Sequence, residues 1–461
     1  MFPPSTYQAR RERLKRDLKS GIALFLGNNE LGMNYAGNTY HFRQDSNFLY
    51  FFGLDQPGLA AVIDVDNNRE IIFGDDLSLE DVVWMGASPR LKSLAEQVGV
   101  REVLPARRLT AFLKKNRRAG QTIHFLPPYR HDNMFVLKNC LNIPVARQKA
   151  AASEAFIRAV VAQRAHKSAE EIAEMERAVN VTGAMHVAAM RAARPGQVEA
   201  ELAGLVEGMA VSAGGNLSYP VILTVNGHIL HNHYHGNTLQ RGQMALGDFG
   251  AETAQHYAGD ITRTFPVDRR FTPKQREVYE IVLDAETSAI ASLQPGMLYR
   301  DVHHAAARHM ADGLKALGLM QGNLDDAVAQ GAHALFFPHG LGHMIGLDVH
   351  DMEDLGENYV GYSDAVTRST QFGTAYLRLA RALEPGFVLT VEPGIYFIPQ
   401  LIDQWRRKNL FAEFINYTAV AKYRNFGGIR IEDNVLITEN GHRVLGDPIP
   451  KTVEAVEALR G

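Results

Sequence analysis

Four short segments of the chain hold the residue types from which a catalyst is built. The stretch Leu246–Phe265 places Asp248 and Asp260 in strand-like surroundings, with small and polar residues between them able to turn a hairpin. Folded back, such a hairpin brings two carboxylates to one point, where they repel unless a cation or a shared proton neutralises them. An aspartate beside glycine is otherwise an ordinary turn residue, so the pair needs company. Pro338–Asp351 supplies it, with His339, His343 and His350 interleaved with glycines that permit close backbone approach. No Walker lysine follows those glycines, and their spacing does not fit a dinucleotide fingerprint. Glu392 and Glu432 each stand alone in an apolar run, Leu389–Tyr396 and Gly428–Val435. A carboxylate buried without a partner is costly, so each must be paired, protonated or on a metal. Arg430, two residues before Glu432 on the same strand face, is one candidate partner. Two such glutamates alongside the aspartates and a histidine favour a metal. Oxygen-rich ligation with one imidazole suits Mn2+, Co2+ or Zn2+.

These residues need elements to position them. Ser168 with Glu171 reads as a capping box, and Ile172, Met175 and Val179 follow at helical spacing. That helix closes before Arg194-Pro195-Gly196, and a second begins near Val198. The same punctuation returns after a helix from about Pro273 to Leu293, which stops at Gln294-Pro295-Gly296 and is followed by another from about Arg300 to Leu317. Two copies of helix, Pro-Gly break and helix indicate an internal duplication. Strands are expected after each pair, over Tyr219–Val225 and Met244–Phe265, then Phe387–Ile398 and Gly428–Thr438. A cleft between two such halves is a natural place for a site. Upstream, Gly21–Gly27, Ala60–Val65 and Ile71–Phe73 read as buried strands, with helices over Pro89–Val98 and Leu109–Lys115. This alternation indicates a small α/β domain. The stretch Ala146–Lys167, rich in Ala, Arg and Lys, is the expected linker.

The four segments resemble the signature of the pita-bread metallopeptidases, the family of methionine aminopeptidase, aminopeptidase P and prolidase. His41–Gly53 resembles the N-terminal domain that aminopeptidase P and prolidase carry and methionine aminopeptidase lacks. The resemblance implies an α/β (α+β) architecture: a creatinase-like domain over 1–155, then a pseudo-twofold catalytic domain over 156–461. It implies two divalent metal ions, Mn2+ first and Co2+ or Zn2+ next. Asp248 would bind one metal, Asp260 and Glu432 would bridge, and His343 and Glu392 would hold the second. His231 matches a histidine that contacts substrate, and His339 and His350 match two that flank the reacting carbonyl. Arg430 matches an arginine that orders the ligand shell beside the substrate. Glu392 would carry the proton from the attacking water to the leaving prolyl nitrogen, so the implied reaction is hydrolysis of the bond before proline.

Within the family, Arg378 and Arg381 in Tyr376–Gly386 are similar to an Arg-x-x-Arg pattern of prolidases, where the first arginine holds the free carboxylate of an Xaa-Pro dipeptide. Arg378 as a solvated surface charge is the plainer reading. The expectation is therefore Xaa-Pro dipeptidase, with aminopeptidase P acting on longer peptides as the alternative, and a catalytically silent binding protein opposed by the complete ligand set. Asp248 and Asp260 stand 12 positions apart, one more than is usual in the family, so a bulge or longer turn must absorb a residue. Asp351–Thr374 is long enough for a lid or a dimer contact. His228, His233 and His235 read as an ordinary polar loop.

The whole chain sets limits on these readings. At 461 residues it exceeds one core, and two domains are expected. Lys plus Arg total 48 against 51 Asp plus Glu, which argues against nucleic acid or an anionic membrane as partner. A single cysteine, Cys140, precludes an internal disulfide and suits a reducing compartment. The start runs into charge, without a secretory signal, and no window reads as a membrane span. A cytoplasmic, soluble homodimer is expected, the dimer on the family resemblance alone.

Overall fold

The computed structural model describes residues 1–461. The chain forms two compact units, one of residues 1–164 with 352–359 and one of residues 165–351 with 360–461.

The first unit is built on a five-stranded sheet in the order Glu102–Leu104, Arg69–Phe73, Ala60–Asp64, Ile22–Leu26, Ile123–Phe125. The expected strands are there. Their unbroken apolar runs follow from burial on both faces, and every residue of Ala60–Asp64 is buried. Ile22, Leu24, Val62, Ile71 and Phe73 form the core with Leu113 and Leu137 from the covering helices. The expected linker is a correction. Val145–Ala151 and Glu154–Arg164 are helices, and the second buries Phe156, Ile157, Val160 and Val161. Phe156 meets Phe25 edge-on at 5.1 Å between ring centres. Ala, Arg and Lys are good helix formers, and the apolar residues among them recur on one face, so a shift in composition was not a break in structure.

The second unit repeats itself. Helices Ala169–Ala192 and Glu199–Ser212 are separated by a turn at Gly196, and helices Pro273–Ser292 and Tyr299–Ala316 by one at Gly296. These glycines have φ of 95° and 86°, the left-handed region that side chains resist. Ser168 and Glu171 close the expected capping box. After the first pair comes a sheet ordered Ile261–Pro266, Met244–Phe249, Ile222–Thr224. After the second comes one ordered Val388–Val391, Asp433–Thr438, Gly441–Val444, with Gly394–Tyr396 pairing Gly428–Arg430 beside it.

The two halves are joined through their central strands. Asn434 clasps the Asp260 backbone, its Oδ1 accepting the N–H at 3.0 Å and its Nδ2 donating to the carbonyl at 2.6 Å. The Glu432 N–H donates to the Thr262 carbonyl at 3.1 Å. Arg263, fully buried, donates to the carbonyls of Thr262 and Glu432 and to the Asp433 carboxylate at 2.6 Å. The ladder from Met244↔Pro266 to Phe249↔Ile261 runs without a register shift. The extra residue between the aspartates is therefore taken up in the turn beyond it. There the His256 N–H donates to the Thr253 carbonyl at 2.8 Å, and His256 adopts a φ of 65°.

Candidate metal centre and substrate cavity

Asp248 lies near the end of Met244–Phe249 and Asp260 just before Ile261–Pro266, and the antiparallel pairing of these strands brings the two carboxylates together. The Tyr219 hydroxyl stands between them, 2.6 Å from Asp248 Oδ1 and 2.5 Å from Asp260 Oδ1. It has one hydrogen to give, and burial beside both carboxylates pushes its pKa well above the ordinary value. The mirrored strands of the second half bring Glu392 and Glu432. His343 reaches in from the 338–351 loop, its Nε2 3.4 Å from Asp260 Oδ2 and 3.6 Å from Glu392 Oε1.

Ligand atoms of Asp260, His343 and Glu432 all lie within 4.8 Å of one another. His343 Nδ1 donates to the Met344 carbonyl at 3.0 Å, which leaves Nε2 as the lone-pair nitrogen when the ring is neutral. Glu432 Oε2 accepts from Thr262 at 2.7 Å, while its Oε1 is buried with no hydrogen-bond partner. Burial, then repulsion from Asp260, Glu392 and Asp248, drives the Glu432 pKa well up. Burial raises Glu392 to about 7. Four acidic side chains, one shared hydroxyl hydrogen and an unpartnered buried oxygen make a set whose charge is unbalanced by protein alone. Divalent cations fit it.

Around this set lies a cavity of about 460 Å3, lined by all five carboxylate and imidazole candidates and by His231, His339, His350, Arg378 and Arg430. His231 is exposed at its rim and Arg378 is half-buried. The His350 ring packs T-shaped against His343, 4.3 Å between centres. His339 donates from Nδ1 to the Gly340 carbonyl at 2.8 Å, and its Nε2 meets the Tyr396 hydroxyl at 2.9 Å. Burial and the nearby Arg430 lower its pKa to about 3, so the ring is neutral. Arg430 is 3% exposed and uses all three nitrogens: Nη2 to Asp248 at 2.5 Å, Nε to Thr262 at 3.1 Å, Nη1 to Tyr396 at 2.8 Å. Its ion partner is Asp248 across the site, not Glu432.

Several residues of the site lay outside the sequence reading. Tyr219 and Tyr396 look like core aromatics in sequence. Thr262 and Thr390 carried a signal, since each is two residues from a candidate ligand and so on the same strand face. Thr390 Oγ1 accepts the His343 N–H at 3.1 Å. His233 lines the cavity, whereas His235 Nε2 bonds the Val221 carbonyl at 3.0 Å.

The model of metallopeptidase family M24 matches residues 173–439, and that of the aminopeptidase P N-terminal domain matches residues 7–124. The Xaa-Pro dipeptidase of Homo sapiens is 32% identical over 97% of this chain and 90% of its own length. The Xaa-Pro aminopeptidase of Escherichia coli K12 is 33% identical, over 98% of this chain and 97% of its own. The structure of zinc-substituted E. coli aminopeptidase P in complex with product is 31% identical and superposes with a TM-score of 0.81, over 100% of this chain and 98% of that one. By the family match over most of its second unit and by relatives that span it end to end, this chain belongs to metallopeptidase family M24.

Proposed function

We propose that this protein hydrolyses the bond before proline, as an Xaa-Pro dipeptidase, with Asp248, Asp260, His343, Glu392 and Glu432 holding two divalent cations. The convergence of these five side chains on one cavity supports the metal set, and its oxygen-rich donors with one imidazole favour Mn2+. Bound there, the metals would acidify a water and polarise a carbonyl. The chain supplies the rest. Glu392 takes the proton of the attacking water and passes it to the prolyl nitrogen. His350 donates to the carbonyl oxygen as it gains charge. His339, neutral and fixed by Gly340 and Tyr396, orients the substrate, and His231 contacts it from the rim. Proline has no N–H to recognise, so selectivity comes from the shape of the wall.

The observation that carries the dipeptidase reading is Arg378 in the lining of the metal cavity, where a guanidinium suits the free carboxylate of a C-terminal proline. Aminopeptidase P is the second reading, favoured by coverage of 97% of the E. coli aminopeptidase against 90% of the human dipeptidase. Product analysis of Mn2+-loaded protein on Ala-Pro and Ala-Pro-Ala tests both. Cleavage of the dipeptide with little tripeptide turnover is expected, and Arg378→Ala raises KM for Ala-Pro by about tenfold or more, the loss of a charge-assisted contact. Preference for the tripeptide, releasing alanine, overturns the dipeptidase reading. Any hydrolysis left in Asp260→Asn overturns the two-metal reading.

A homodimer is proposed on the exposed apolar surface of the first unit. Helix Leu79–Met85 buries none of its residues and leaves Leu79, Val83, Trp84 and Met85 at 65–81% exposure. Cytoplasmic residence is proposed on the single cysteine, which suits a reducing compartment.

A further inference from the structure

The loop that carries His343 and His350 has almost no regular structure of its own, yet it must hold two imidazoles in place. A buried ion pair ties it down. Lys167 Nζ donates to Asp351 Oδ2 at 2.9 Å, and both side chains are 1% exposed. The other Asp351 oxygen accepts the Asp348 N–H at 3.3 Å, and the Asp351 N–H donates to the Met344 carbonyl at 2.9 Å, so the loop closes on itself. Gly346 lies against the pair. A Cβ there would stand 2.6 Å from Asp351 Oδ2 and 3.0 Å from Lys167 Cε, so no side chain fits between loop and lysine.

Lys167 is anchored in turn. Its N–H donates to the Gly386 carbonyl at 2.8 Å, and its neighbour Ser168 caps helix Ala169–Ala192. A cation beside a helix N-terminus opposes the helix dipole, and a buried ammonium is costly unless paired. Local helix stability therefore does not account for a lysine at this position. The anion it meets is one peptide unit from His350.

We propose that Lys167 is a positioning residue: through Asp351 it fixes the backbone of His350 and thereby the imidazole that faces the substrate. The proposal rests on the part given to His350 in the hydrolysis above, and its test is arranged to fail separately from that reading.

The test is a double-mutant cycle of Lys167→Met and His350→Ala, read in kcat and KM on Ala-Pro. Lys167→Met is expected to lower kcat by about 10–100-fold, the cost of a misplaced group, with KM changed by less than about threefold. In the His350→Ala background the same substitution should change kcat by less than about twofold. Equal losses in both backgrounds overturn the proposal, because the lysine would then serve the fold in general. A second readout does not need turnover. In Zn2+-loaded protein with 15N-labelled histidine, Lys167→Met should shift the His350 ring signals and leave those of His235 in place. An unmoved His350 signal overturns the proposal even if wild-type protein leaves Ala-Pro intact, a result that would itself count against the functional reading. Should Lys167→Met fail to fold, Asp351→Asn keeps the shape and weakens the pair, and the same outcomes apply.

Discussion

Tyr219 offers one hydrogen to two carboxylates, so removing its hydroxyl leaves Asp248 and Asp260 oriented by less than before. Tyr219→Phe is expected to weaken metal binding by about 10–100-fold, the usual effect of deleting a group that orients ligands, measured by competition with a chelating dye. Unchanged affinity would mean the hydroxyl orients nothing. Glu392 gives a pH signature in the metal-free protein. Its folded pKa of about 7 lies above the ordinary 4.5, so it contributes stability below pH 4.5 that is lost as pH rises through 7. The chelated protein should therefore melt at progressively lower temperature from pH 5 to 8, and Glu392→Gln should make that slope shallower, Glu432 supplying the rest. A slope that is the same in both proteins would assign it elsewhere. Glu392 and Glu432 stood out in sequence because each interrupts an apolar run, whereas the aspartate pair, and His343 among three histidines in one loop, were singled out by the family resemblance. Tyr219 and Tyr396 did not stand out, because an aromatic is at home in a strand, and only the folded pairing shows which way its oxygen points.

The elements were legible where local chemistry marks their ends. Ser168 and Glu171 announced a helix start, and Pro195-Gly196 and Pro295-Gly296 announced two breaks at matching places. Glu154–Arg164 was misread because its composition changes while its periodicity does not. The turn between Asp248 and Asp260 was open in sequence, since a ladder bulge and a longer turn absorb a residue equally well on paper. The structure favours the turn because each pair from Met244 to Phe249 is needed to hold Asp248 opposite Thr262. One element-scale prediction isolates backbone strain. Gly296 has a φ of 86° and nothing within 4 Å of where a Cβ would stand, so alanine there meets no clash. Gly296→Ala is expected to cost about 1–2 kcal/mol in urea unfolding, the left-handed penalty of a side chain, with kcat unaltered. A neutral substitution would show that the turn can relax.

Across the whole molecule, the two units place their demands differently. The metal candidates all belong to residues 165–351 and 360–461, so metal should stabilise that unit. At about 100 times its Kd a cation adds about 2.7 kcal/mol. Calorimetry with and without chelator should move the transition of the second unit and leave that of the first. A shift of both by the same amount would mean they unfold as one. The exposed helix Leu79–Met85 belongs to the first unit, and Trp84→Asp should lower the mass seen by light scattering from twice 51.1 kDa towards a single chain. A dimer that persists places the contact elsewhere.

Asp248 and Glu432 lie far apart along the chain, and the segment 352–359 belongs to the first unit although it follows His350. A ribosome releases residues in order, at roughly 5–20 per second. The first unit thus lacks its last segment until residue 359 is out, and the candidate metal centre lacks its last carboxylate until Glu432 emerges, on the order of ten seconds or more after Asp248. On the proposed reading, every nascent chain shorter than that is inert, held silent by the order in which its own residues are made.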